Sequence, residues 1–142
     1  MLRDLFNKVD VRRVLVPSAG PTDNTAQVGQ IIDHLGAKSV TYLLGLGSIA
    51  DADVTFTVLL EESDDSGMSG ATAVADADLL GTEVAAAFRF DDDNEVRKLG
   101  YVGSKRYSRI TITPANNASA AALTALVVLE MDYQPATTLA DD

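Results

Sequence analysis

Through most of this chain apolar and polar residues alternate at every second position, and clusters of Gly, Asp, Asn and Ser cut the alternation into short runs. Period two marks a strand buried on one face, whereas a helix repeats its apolar positions every three or four residues. Over residues 54–60, Val54, Phe56, Val58 and Leu60 fall on one side and Thr55, Thr57 and Leu59 on the other. Such an alternation, rich in β-branched residues, predicts a strand. Residues 39–46 set Val40, Tyr42 and Leu44 against Thr41 and Leu43, and residues 28–34 form a shorter apolar run ending at a Gly36-Ala37 turn. Near the end, Leu123, Ala125, Val127, Leu129, Met131 and Tyr133 share one face. The alanines of that run favour helix, but its period of two and its β-branched Thr124, Val127 and Val128 predict a strand.

Residues 99–113, Leu-Gly-Tyr-Val-Gly-Ser-Lys-Arg-Tyr-Ser-Arg-Ile-Thr-Ile-Thr, read as a strand, a turn at Gly103-Ser104 and a second strand. In the second strand Ser108, Ile110 and Ile112 share one face and Tyr107, Arg109 and Thr111 the other, which predicts a β-hairpin. A second hairpin is predicted between residues 84–90 and 95–102 through the turn Asp91-Asp92-Asp93-Asn94. Residues 61–70 have the composition of a solvated loop, which is expected to extend through Thr82 with Leu79 and Leu80 pinning it to the core; residues 71–80 could form a helical turn, but their Ala-Asp repeats give no amphipathic stripe.

Residues 1–27 stand apart as an N-terminal arm. Leu2, Leu5, Phe6 and Val9 fit one stripe of a short helix, Val9, Val11, Val14 and Val16 fit an extended segment, and Pro17, Ser18, Gly20 and Pro21 interrupt regular structure. The arm has two readings: a strand on the domain edge, or a segment reaching a neighbouring subunit. Residues 28–135 then form the domain and residues 136–142 a polar tail. Short strands joined by turn-rich loops, with no alternating helices, predict an all-β, single-domain antiparallel β-sandwich, jelly-roll-like, of about seven to eight strands.

Composition narrows the function classes. At 142 residues, 46% hydrophobic and 23% charged, the chain has the size and make-up of one folded domain. It has no cysteine, so disulfides, thiolate metal sites and cysteine nucleophiles are excluded. A formal net charge of −10 disfavours direct nucleic-acid binding, because phosphates repel an acidic surface. No apolar run approaches the ~18 residues of a membrane span, and the start lacks the apolar centre of a signal peptide, which predicts a soluble, unprocessed chain without a membrane partner.

Candidate chemistry is sparse. The carboxylates at Glu61-Glu62, Asp64-Asp65 and 91–93 sit beside Gly, Ser and Asn in loops, where water keeps them ionised; glycosidase chemistry needs one such group desolvated in a cleft. Asp91, Asp93 and Glu95 start like a calcium loop, but Val96 stands where glycine is needed and Val102 where glutamate is needed. His34 is the only histidine; with no cysteine partner and no nucleophile elbow it predicts neither a zinc site nor an acyl-transfer triad. Residues 45–50 lack the third glycine of a phosphate loop and read as a turn. No cofactor or metal is expected, and an enzyme is the class with least support.

The remaining feature is basic and aromatic. Lys105, Arg106 and Arg109, interleaved with Tyr101 and Tyr107, make the main electropositive stretch of an acidic chain. Aromatics and cations together suit a nucleic-acid platform, but the overall charge opposes it. The better reading of Tyr101, Lys105, Arg106, Tyr107 and Arg109 is an interface with an acidic protein or with another copy of the chain, against ordinary surface exposure.

Three segments carry a resemblance: residues 53–65, Asp-Val-Thr-Phe-Thr-Val-Leu-Leu-Glu-Glu-Ser-Asp-Asp; residues 78–82, Asp-Leu-Leu-Gly-Thr; and residues 100–113, with Gly-Tyr-x-Gly-x-Lys-Arg-Tyr-x-Arg. In this order, over residues 31–133, the chain resembles small structural proteins of tailed bacteriophages and prophages, similar to head decoration or cement proteins. The resemblance implies a non-enzymatic virion protein on the outer capsid surface, made in the host cytoplasm. Its implied partners are the major capsid protein and further copies of itself, as a trimer or other cyclic form. The alternatives are a tail or neck component of the virion, or a carbohydrate-binding sandwich presenting Tyr101 and Tyr107.

Overall fold

Strands that alternate apolar and polar residues each bury one face, and two sheets of such strands satisfy one another by packing those faces together. The computed structural model describes residues 2, 4–18 and 20–131. In chain order the strands are β1 (Val9–Ser18), β2 (Gln27–Val28), β3 (Ile32–Asp33), β4 (Ala37–Ile49), β5 (Thr55–Ser63), β6 (Thr72–Ala73), β7 (Leu79–Leu80), β8 (Phe88–Arg89), β9 (Val96–Tyr101), β10 (Tyr107–Ala115) and β11 (Ala121–Met131). Two 3₁₀ turns, Phe6–Lys8 and Asp76–Asp78, and one helical turn, α1 (Glu83–Ala86), complete the elements.

One sheet runs β1-β11-β4-β9-β7 and the other β2-β10-β5-β6, with β3 also on β10 and β8 also on β5; every pairing is antiparallel. The protein is therefore an all-β sandwich. Its pairings nest: β2 and β3 lie on β10, β4 on β9 and β5 on β8, as when one long hairpin is wrapped into two layers. The core between the sheets is filled by Tyr42, Phe56, Phe88, Leu44, Leu60, Leu99, Ile110, Ile112 and Leu129. Among the described residues there are eleven strands, not seven or eight. Five of them are two residues long, too short to show any period.

Of the two readings of the arm, the strand on the domain edge holds for Val9–Ser18, the outermost strand of the five-stranded sheet. Residues Val9–Ser18 pair with β11: Asp10, Arg12 and Val14 fall on the core side, leaving Val14 2% exposed, and a bulge between Arg13 and Leu15 brings Leu15 to that side as well. There the two sheets meet: the N–H of Gln30 donates to the Val14 carbonyl at 3.0 Å, while the N–H of Gly29 donates to the Ile110 carbonyl at 2.8 Å. A Cβ at Gly29 would lie 2.6 Å from Val14 Cγ1, so glycine permits this closure and also splits the strand expected over residues 28–34. The bulge, Pro17 and the charged Arg12 and Arg13 guard the outer edge of β1 against further pairing.

Neither expected hairpin forms. β9 lies in the first sheet and β10 in the second, so residues 102–106 are an arch between layers. Likewise β8 pairs with β5, and the acidic turn after it crosses to β9. Residues 83–86 are helical: Thr82 caps the turn by accepting from the N–H of Ala85 at 3.0 Å, and Glu83 Oε1 accepts the N–H of Leu60 at 2.6 Å. Residues 61–63 of the expected loop extend β5, and the loop contributes β6 and β7 to the two sheets. Gly45 and Gly47, read as a turn, lie inside β4. The expected tail, residues 136–142, and the end of the expected domain fall outside the described residues.

Candidate interaction site at the arch between the sheets

The arch is built on Tyr101. This last residue of β9 pairs with Val40 and Leu79, and its side chain is buried at 4% exposure. From the first sheet its hydroxyl reaches the second, donating to Glu62 Oε2 at 2.6 Å and accepting the N–H of Lys105 at 2.9 Å. Burial raises the phenol's pKa, and the Glu62 carboxylate adds to the shift, so the hydroxyl stays a donor. A Cβ at Gly103 would lie 2.6 Å from that hydroxyl oxygen, and glycine alone lets the arch lie against the ring.

Beneath the arch is a polar chain that begins in the core. His34 follows β3, and its ring tilts against that of Tyr101 at 4.9 Å between centroids. Its Nδ1 faces the Lys105 carbonyl at 3.2 Å; a carbonyl only accepts, so Nδ1 carries the proton. Nε2, 2.6 Å from Ser108 Oγ, then accepts from that hydroxyl, and Ser108 in turn accepts from Tyr42 at 2.7 Å. Tyr42 to Ser108 to His34 to the Lys105 carbonyl is thus one directed series of hydrogen bonds joining the core to the arch. The burial of Tyr42 raises its phenol pKa and keeps it protonated.

A serine this close to an imidazole resembles a nucleophile and its base, but this pair is placed for structure. Ser108 is fully buried, and the second ring nitrogen of His34 rests on a backbone carbonyl instead of a carboxylate. The arrangement holds the arch. Its one sequence signal is polarity where the pattern demands apolar residues: Ser108 shares a face with Ile110 and Ile112, and Tyr42 with Val40 and Leu44.

The basic residues come together at this end, already paired. Lys105 Nζ meets Asp64 at 2.5 Å. Arg106 takes Asp33 in a two-pronged grip, Nε to Oδ1 at 3.0 Å and Nη2 to Oδ2 at 2.9 Å, and its guanidinium lies over the Tyr107 ring. Arg109 pairs with its cross-strand partner Glu61 at 3.0 Å. The hydrogen bonds from Arg106 hold Asp33 below the usual carboxylate range, and Lys105 does the same for Asp64. The expected electropositive stretch is therefore a set of intramolecular ion pairs, because the neighbouring strands and loops bring a carboxylate to each of its cations. Tyr101 is a core residue, and Tyr107 and Arg109 look outward from the second sheet.

The acidic clusters are also spoken for. Asp92 accepts the N–H of Arg89 at 2.7 Å and pairs with Arg97, which also binds Glu95; Asp93 accepts the N–H of Ile49 at 3.2 Å. Asp65 accepts the N–H groups of Gly67 and Ser69. Among the described residues no group of three or more His, Cys, Asp or Glu side chains is arranged to hold a metal ion, and no helix is long and apolar enough to cross a membrane.

The arch gives a prediction for acid. Burial pulls the His34 pKa below its ordinary ~6.5, against the opposing pull of the Lys105 carbonyl. The unfolded chain then takes up a proton that the folded chain refuses, so stability falls as pH drops below ~6.5 and goes on falling to the folded-state value. Asp33 and Asp64 are depressed carboxylates, and their contribution is lost only below ~4. Melting curves between about pH 7 and about pH 5 should shift downward for the wild type and stay level for His34→Gln. Parallel profiles for the two proteins would contradict this assignment.

No family model and no curated protein matches the chain.

Proposed function

We propose that this chain is a non-enzymatic structural protein of a virion, a capsid decoration protein that binds the outer shell and stabilises the head. The observation that carries this reading is the outward face of the five-stranded sheet. Across it Val11, Val128 and Thr41 lie in one register row and Arg13, Leu126, Leu43 and Lys98 in the next. Val11 and Leu126 are exposed, and Leu43 and Val128 are half-buried. A contiguous apolar strip on a chain of this acidity marks a docking face, and a broad sheet suits a partner that is itself broad. In this reading that partner is the major capsid protein, as the resemblance of residues 31–133 to phage decoration proteins implies. The two arginine pairs beside the Tyr107 ring supply rigidity there, and Tyr107 and Arg109 remain outward-facing contact residues in this reading.

A protein of this kind acts by mass action, since binding to the assembled shell but not to its parts favours the shell. The carbohydrate-binding alternative needs both Tyr101 and Tyr107 at the surface, and the first is buried. Shells assembled with the chain should survive heating that ruptures shells assembled without it. Electron microscopy of the particles should place it in many copies on the outer surface. Density confined to the tail or neck, or equal rupture of the two kinds of shell, would refute the proposal.

A further inference from the structure

Leu2, Leu5 and Phe6, ahead of β1, form a second, separate apolar feature. Leu2, Leu5 and Phe6 are 98%, 67% and 75% exposed. Residues 4–8 are nonetheless tied together by their own bonds. The Asp4 carboxylate accepts both the N–H of Asn7 at 3.2 Å and its side-chain amide at 2.7 Å, and the N–H of Lys8 donates to the Leu5 carbonyl at 3.0 Å. A 3₁₀ turn thus holds Leu5 and Phe6 out into water at one end of β1.

At the opposite end of the same sheet lies an apolar groove of about 230 Å³. Pro17 forms one wall, and Gly45, Gly47, Ala122 and Thr124 line the rest. The glycines open it: a Cβ at Gly47 would sit 3.0 Å from Ala122 Cβ, and one at Gly45 would sit 3.3 Å from Thr124 Cγ2. The acidic turn borders it, because the N–H of Asn94 donates to the Gly47 carbonyl at 3.1 Å and the N–H of Leu46 to the Glu95 carbonyl at 2.9 Å.

Charge matches these two features to each other. Residues 1–13 hold four cations and two carboxylates, while residues 14–142 hold seven cations and nineteen carboxylates. The bordering turn supplies Asp91, Asp92, Asp93 and Glu95 against Arg89 and Arg97. Distance then decides whose groove is filled. The ten residues of β1 extend roughly 30 Å at ~3.3 Å each, whereas the chain from Val9 back to Leu5 reaches at most ~14 Å. The segment cannot turn back into its own groove.

We infer that Leu5 and Phe6 of one copy seat in the Gly45–Gly47 groove of a second copy, giving a head-to-tail contact. Such a contact uses different surfaces on its two sides and closes into a ring when the rotation between copies permits. It goes beyond the shell-binding reading and does not depend on it, since it operates in free solution.

The chain's oligomeric mass, measured by light scattering on a sizing column, tests this. The wild type should run above monomer mass, while a Leu5→Asp, Phe6→Asp double variant and an Ala122→Glu variant should each run as monomers. An equimolar mixture of the two variants should recover dimers and nothing larger, because only one intact knob and one intact groove remain. If circular dichroism shows Ala122→Glu to be unfolded, Pro17→Glu, on the exposed wall, takes its place. A wild type that stays monomeric at ~0.1 mM, a single variant that keeps the wild-type mass, or a mixture that stays monomeric overturns the inference.

Discussion

Val14→Asp is expected to destabilise the chain by on the order of 4 kcal/mol or more, a large part of the ~5–15 kcal/mol that holds a domain folded. Val14 is 2% exposed, and its carbonyl accepts the bond from Gln30 that joins the two sheets along one side. Among the described residues no cation is buried in the core to pair with a carboxylate there, which must either bury its charge or push β1 off β11. Val16, two residues on and exposed, is the control; Val16→Asp should cost less than ~1 kcal/mol. Urea denaturation followed by far-UV circular dichroism gives both values, a suitable probe because the chain has no tryptophan. If Val14→Asp melts like the wild type, residues 1–27 are a dispensable arm and β1 does not help to hold the sandwich together.

The second large effect is expected at the arch. Tyr101→Ala should cost ~3–5 kcal/mol, the usual loss for emptying a buried aromatic site. The change removes the ring that packs on His34, frees the Glu62 carboxylate and leaves the Lys105 N–H without its acceptor. Tyr101→Phe separates the two parts of this cost. It keeps the packing and drops only the hydroxyl, for about 1 kcal/mol. The two variants should differ by several-fold in destabilisation, measured in the same urea series. If Tyr101→Ala is tolerated as a surface change would be, the ring is a contact residue after all and the arch is held by its ion pairs.

Residue by residue, the burial of the long strands was legible in the chain. Val54, Phe56, Val58 and Leu60, and likewise Leu123, Ala125, Val127 and Leu129, turn inward as their alternation demands. Every such strand leaves its apolar face uncovered until another sheet meets it, so period two carries a sandwich with it. The same pattern is silent about which strand lies beside which. β9 and β10 alternate as a hairpin would, yet they enter different sheets, because a five-residue connection can span the ~10 Å between layers as readily as it can reverse within one. Two-residue strands such as β3 and β7 are held by their neighbours and have no signature of their own.

The site divides in the same way. That residues 101–109 concentrate cations and tyrosines is a property of the sequence alone. That Lys105, Arg106 and Arg109 meet Asp64, Asp33 and Glu61 is not, since these partners lie far away along the chain and come within reach only when β10 pairs with β3 and β5. Tyr101 passed for a surface residue because its pocket is assembled from the two sheets together.

By itself, then, the chain determined its class: alternation at period two dictates one-sided strands, and one-sided strands must stack. Only the tertiary structure decided the partners, through wrapping that sets residues distant in sequence side by side. It chose the edge strand between the two readings of the arm and set the basic patch into ion pairs, and among the described residues it left the turn at Leu5 and Phe6 and the groove at Gly45 and Gly47 exposed at opposite ends of a single sheet.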